Sequence, residues 1–180
     1  MAKISSAVQA VSPFTVAVIT ALPLATAVTS PEAVTLATVG ALLLPKDGHL
    51  PPDRAPEQDP NAVPYEDTTI QGGEGGSVTL RYQATAEIDR ESGTVSIAFI
   101  DPASSNQGLV IQLLIQGEVL AESGLLPPGT AVYTLALLPG AAERLEPGDY
   151  DGSFLVSYYD TESGQRSALQ TEAEIGVTVK

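Results

Sequence analysis

Residues Leu125 to Asp160 read LLPPGTAVYTLALLPGAAERLEPGDYDGSFLVSYYD. Two apolar runs, Ala131–Leu138 and Tyr150–Tyr159, each follow a Pro-Gly pair, Pro128-Gly129 and Pro147-Gly148. Proline pre-sets the first turn angle and glycine accepts the left-handed one, so each pair reads as a turn feeding a strand. Tyr133, Leu135 and Leu137 are expected on one face of the first strand, and a corner with one short helical turn at Ala141–Leu145 leads to the second. This strand–corner–strand unit is the piece around which residues 77–180 are expected to build an all-β sandwich.

The same alternation extends outward in both directions. Val78, Leu80, Tyr82, Ala84, Ala86 and Ile88 alternate with polar residues, which predicts a strand with one buried and one wet face. Glu91-Ser92-Gly93 turns the chain into Val95, Ile97 and Phe99. Asp101–Gly108, DPASSNQG, is dense in turn formers. Leu109, Ile111, Leu113 and Ile115 follow, with Gln116-Gly117 as a two-residue hairpin turn into Val119–Ala121. In the last strand Leu169, Thr171, Ala173, Ile175, Val177 and Val179 are expected to face the core while Gln170, Glu172, Glu174, Gly176, Thr178 and Lys180 face water. About seven strands in about 100 residues is the pattern of an antiparallel immunoglobulin-like sandwich. Tyr150, opening a strand just after a corner, has two readings: its hydroxyl returns to the corner's backbone, or it stays wet at the core's edge.

Gly117-Glu118, Ser123-Gly124-Leu125, Pro128-Gly129, the Leu145–Tyr150 corner and Asp59–Tyr65 together carry a resemblance. Over roughly residues 45–180 the chain resembles small, membrane-anchored, immunoglobulin-like surface proteins of Gram-positive bacteria. That likeness implies an extracytoplasmic, membrane-tethered β-sandwich.

Charge divides the chain. Aromatics are 5% of residues and Trp is absent, so the core must be aliphatic. Residues 1–45 hold one cation, Lys3, and one acid, Glu32; the remainder holds 7 cations against 21 acids and so carries the whole net charge of −14. Such a body repels phosphates, which argues against a nucleic-acid partner.

The head, residues 1–45, contains the uncharged run Phe14–Thr29 and the apolar run Val34–Leu44. Ser12-Pro13 and Ser30-Pro31-Glu32 read as helix starts, with cap, proline and acid in sequence. Two helical pieces are expected, with three open uses. The first is a signal peptide with a small-residue site at Ala25-Thr26-Ala27. The second is a membrane anchor over residues 14–44, as one broken span or a short hairpin. The third is a helical pair packed inside a soluble assembly. Ala10-Val11-Ser12-Pro13-Phe14 before an apolar run resembles the opening of archaeal pilin helices, which implies a filament core and homo-oligomerisation through the head.

Residues 46–76 read as a linker. Pro51, Pro52, Pro56, Pro60 and Pro64 among scattered acids predict an extended spacer. Gln71–Gly76 lacks the Lys-Ser/Thr of a phosphate loop.

Catalytic chemistry finds little purchase. His49, the one histidine, lies in the linker and there is no cysteine, which removes Ser-His-Asp and Cys-His arrangements within a chain. Ser123 lacks the glycine before it that a nucleophile elbow needs, and Leu126–Thr130 departs from a sortase signal. Two acidic pairs, Asp149 with Asp151 and Asp160 with Glu162, are the remaining calcium candidates, against six to eight oxygens that calcium requires. No catalytic, cofactor or metal residue is assigned, and no cofactor. The expectation is a non-enzymatic, membrane-tethered extracytoplasmic protein for adhesion, envelope structure or protein binding. The alternative is a pilus or filament subunit whose apolar head forms the filament core.

Overall fold

The computed structural model describes residues 9–11, 14–20, 45–66 and 77–180. They form eleven β-strands and one 3-10 turn at Ala142–Arg144, so the fold is all-β. The strands are β1 (Gln9–Val11), β2 (Phe14–Thr20), β3 (Val63–Pro64), β4 (Ser77–Gln83), β5 (Thr85–Asp89) and β6 (Thr94–Asp101). After these come β7 (Gln107–Ile115), β8 (Glu118–Glu122), β9 (Thr130–Ala136), β10 (Gly148–Asp160) and β11 (Arg166–Val179).

Alternation in β11 works as its sequence demands. Ala173, Ile175, Val177 and Val179 are buried, and Glu172, Glu174, Gly176 and Thr178 are exposed. Its neighbours are β10, antiparallel, and β5, parallel. From β5 the sheet continues β11-β10-β7-β8 on one side and through β6 to β9 on the other. A bridge between Ala121 of β8 and Leu137, just after β9, brings the far ends together, so the mixed sheet curls round on itself. Inside the curl Tyr82 and Phe99 stack at 5.9 Å, and Phe154 meets both edge-on at 6.3 and 5.7 Å. Three of the core's aromatics thus meet at one point, where edge-to-face pairs add to simple burial.

Turn chemistry accounts for the tight corners. Gln116 and Gly117 both take positive φ, 55° and 82°, the geometry whose twist matches a two-residue hairpin between β7 and β8. The hydroxyl of Tyr150 donates to the Glu146 carbonyl at 2.9 Å, so the corner reading of this residue is the one realised.

Four expectations are corrected. The strand expected over residues 78–88 is two, broken at an exposed Ala84 whose carbonyl accepts from Gly176 N–H at 3.0 Å. β4 pairs with β2 and β6, whereas β5 pairs with β6 and β11. Tyr133 is 44% exposed, because Ile97 and Ala98 form a bulge in β6 opposite it and the alternation of β9 slips there. Phe14–Thr20, expected as helix, is a strand paired antiparallel with β4. Five of its seven residues are β-branched, which stiffens the side chains and favours a pleated surface over a helix. The expected helical pieces over residues 21–44 lie outside the described residues, as does Gln71–Gly76.

The fourth correction concerns the spacer. Residues 45–66 are extended, as the prolines require, but they are bound along the sheet as a strap. Lys46 N–H donates to Gly117 O, Ala55 N–H to Gly164 O and Tyr65 N–H to Gly129 O, while Arg166 N–H donates to Asp53 O. Asp59 and Leu125 add a reciprocal stitch, Asp59 N–H to Leu125 O and Leu125 N–H to Glu57 O, both 2.9 Å. Prolines lack a donor, so they suit a strap that needs only alternate hydrogen bonds to an edge.

Candidate functional site

Ser123 is buried, and its hydroxyl accepts from Ile111 N–H at 2.9 Å. It closes the end of the β7–β8 ladder. His49 stands 3.2 Å from Glu122, whose same oxygen accepts from the amide of buried Gln112 at 2.6 Å. Gln112 also donates to the His49 carbonyl at 3.2 Å, so this cluster fastens the strap to β7 and β8. Leu126–Thr130 is a turn in which Gly129 takes φ 79° and the Thr130 hydroxyl donates to Pro127 O at 2.6 Å.

The two acidic pairs are not brought together. Asp149 and Asp151 open β10 and Asp160 closes it, twelve residues' rise from Gly148, about 40 Å along an extended strand. Asp149 accepts from the Thr178 hydroxyl at 2.8 Å. Asp160 accepts from Ser163 N–H and from the Ser163 hydroxyl, both at 2.7 Å, and these bonds hold its carboxyl below the usual range. Its oxygens organise their own turn. Among the described residues no three His, Cys, Asp or Glu side chains gather as a metal set would.

Sequence reasoning missed two buried acids. Asp59, on the strap, is 5% exposed and fully bonded: Asn61 N–H donates to one oxygen at 2.8 Å and Gly124 N–H to the other at 2.7 Å. A Cβ on Gly124 would lie 2.7 Å from the Asp59 backbone, so glycine is required for that approach. Asp101, at the end of β6, is wholly buried and neither carboxyl oxygen has a hydrogen-bond partner. Burial pushes its pKa up to about 8, against a smaller opposing pull from Ser105. The nearby Tyr158 hydroxyl, bonded to Thr171 at 2.7 Å, is pushed up to about 12 by burial. The Asp-Pro opening of a turn-rich loop gave no signal that its aspartate points inward.

The largest recess described measures 650 Å³ and lies over the ends of β7, β10 and β11. Asp151, Glu172 and Glu174 line it, with Gly152 in its floor. A Cβ at Gly152 would lie 2.7 Å from Val177 and 2.9 Å from the Leu114 carbonyl, so packing beneath explains that glycine. The carboxylates make the recess repulsive to anions.

No helix among the described residues is long and apolar enough to cross a membrane. Comparison with known proteins places nothing beside the chain: no family model, no curated protein and no solved structure matches it.

Proposed function

We propose that the chain is a non-enzymatic structural or adhesive protein of the cell envelope, an immunoglobulin-like sandwich held at the surface by its apolar head. The strand that changes partners at Ala84, its second half parallel to the last strand, supports that fold assignment. So does the corner hydroxyl of Tyr150. The observation that carries the attachment reading is the strap. The chain is fastened to the sheet from Lys46 onward, so the apolar run ending at Leu44 joins a rigid body through Pro45 alone. Whatever holds the run that ends at Leu44 therefore holds the sandwich close to it.

In the first reading residues 21–44 enter lipid as a tether. A second reading, in which heads pack copies together as filament subunits do, is favoured by β2. A single span over residues 21–44 separates Phe14–Thr20 from its body by the bilayer, whereas β2 pairs with β4 on the body's own side. A hairpin excursion keeps both on one side but carries Glu32 to its deepest point, where a lone carboxylate is costly.

Cells producing the full chain are sheared, and their membranes extracted at high pH. Retention in the membrane pellet supports the lipid tether. Release as particles that sediment without detergent supports assembly through the head. Release as a monomer in both steps defeats the attachment reading altogether.

A further inference from the structure

We propose that β2 is an exchangeable strand: Phe14–Thr20 of one copy pairs along β4 of a second copy, joining the two through a continued sheet. The inference rests on the second reading above and names its contact.

Seven consecutive pairs, from Phe14↔Gln83 to Thr20↔Ser77, define the β2–β4 register. In the sheet β2 has β4 on one side and the three-residue β1 on the other. β4 is held in the body independently of β2, through Arg81↔Ile100 and Tyr82↔Phe99 of β6. That part of the edge, Leu80 to Tyr82, therefore persists when β2 leaves it. Between the two strands lie residues 21–76, so no short turn ties this strand to this edge. The 24 residues from 21 to 44 reach at most about 80 Å when extended, enough for a neighbouring body.

Recognition by strand addition depends on backbone hydrogen bonds and on side-chain register, and an identical copy supplies both unchanged. Phe14–Thr20 is uncharged and rich in β-branched residues, so a released β2 is a strand seeking an edge. β2 and β4 belong to one chain, so at low concentration a chain's own β4 is the favoured partner and dilute chains close on themselves. Crowding on a surface raises the neighbour's share. Donation from β2 to another copy's β4 is head-to-tail, so it closes as a reciprocal pair or continues as an open chain. All bodies and all β2 strands stay on one side of any membrane.

The chain has no cysteine, so a disulfide reports the contact cleanly. Val18 and Thr79 face each other in the register. Full-length Val18→Cys and Thr79→Cys chains are mixed, oxidised over a range of concentrations and weighed intact. Val18→Cys mixed with Thr161→Cys, far from that register, measures random collision. The expected result is a Val18–Thr79 heterodimer that grows with concentration and exceeds the Thr161 control by about tenfold, the preference a specific tethered contact gives. Equal yields with the Thr161 control would overturn the proposal. So would a Val18→Cys/Thr79→Cys double variant that forms only its internal bridge at every concentration; that outcome leaves same-side packing of the head intact. No bridge in either arrangement would remove β2 from β4, and with it the observation favouring assembly, leaving the lipid tether.

Discussion

Asp59 on the strap and Asp101 at the end of β6 are both buried acids, yet only one is provided for. Both Asp59 oxygens accept backbone N–H groups, and glycine at position 124 exists to let them approach. The Asp101 oxygens accept no hydrogen bond of good geometry, and the Ser105 hydroxyl beside them offsets only part of their burial. The difference teaches that the strap is an integral part of the fold, stitched by an acid that the body is shaped to receive. The loop after β6 instead carries a group that opposes folding once it ionises. Five single variants break or sharpen that contrast.

Planting a third buried acid has the largest expected effect. Ile175 is buried in the core between β5 and β10, with no donor intended for it. Ile175→Asp should cost several kcal/mol and unfold the domain, since an unpaired buried carboxylate has no compensating interaction. Loss of the cooperative thermal transition checks this. A fold that survives would mean the sheet has more freedom at β11 than the burial implies.

Unstitching the strap comes next. Gly124→Ala forces a Cβ to within 2.7 Å of the Asp59 backbone, and Asp59→Ala strands the Gly124 and Asn61 N–H groups. Each should destabilise by about 1–3 kcal/mol, the usual cost of overpacking or of a buried unpaired donor. Because both act on one contact, the double variant should lose much less than the sum. Chemical denaturation of the three chains measures it.

Asp101 gives a pH signature. Its folded pKa, about 8, lies above the 3.8 of an unburied aspartate, so the folded state binds the extra proton between those values. Stability should therefore fall as pH rises from about 4 to 8, by on the order of a few kcal/mol, and level off above. Asp101→Asn removes this dependence: its advantage over the native chain should grow with pH and be smallest near pH 4. Unfolding midpoints of both chains across that range test it, and parallel curves would contradict it.

Glu174→Lys should matter least, within about 0.5 kcal/mol, because its side chain stands in water on the face opposite Ile175.

The sequence made some of this legible and hid the rest for definite reasons. β11 is strictly alternating, so its core face could be read directly, and Gln116-Gly117 declared its own turn. The all-β character follows from those repeats. β7 was legible on one face only: Val110, Gln112 and Leu114 are buried as well, beneath the strap and a small cluster of Leu114, Val119 and Leu155. That second cover is non-local, and no periodicity within β7 encodes it. Phe14–Thr20 is a continuous apolar run, which periodicity cannot divide between helix and strand. β-branching was the available clue. Prolines in residues 46–64 correctly signalled an extended chain, yet composition says nothing about what an extended chain lies against. For the candidate chemistry, the turn that holds Asp160 and Glu162 was legible as a turn. The burial of Asp59 and Asp101 was not, because a turn-forming aspartate looks the same in sequence whether it points out or in.

Amide hydrogen exchange on the full chain tests the central claim, that residues 45–66 belong to the folded sheet. The amides of Asp59 and Ala55, donated to Leu125 and Gly164, and of Leu125 and Arg166, donated to Glu57 and Asp53, should be protected nearly as well as those of β10. Exchange of the Ala55 and Asp59 amides at free-peptide rates, with β10 still protected, would contradict the account and return the strap to the status of a loose spacer.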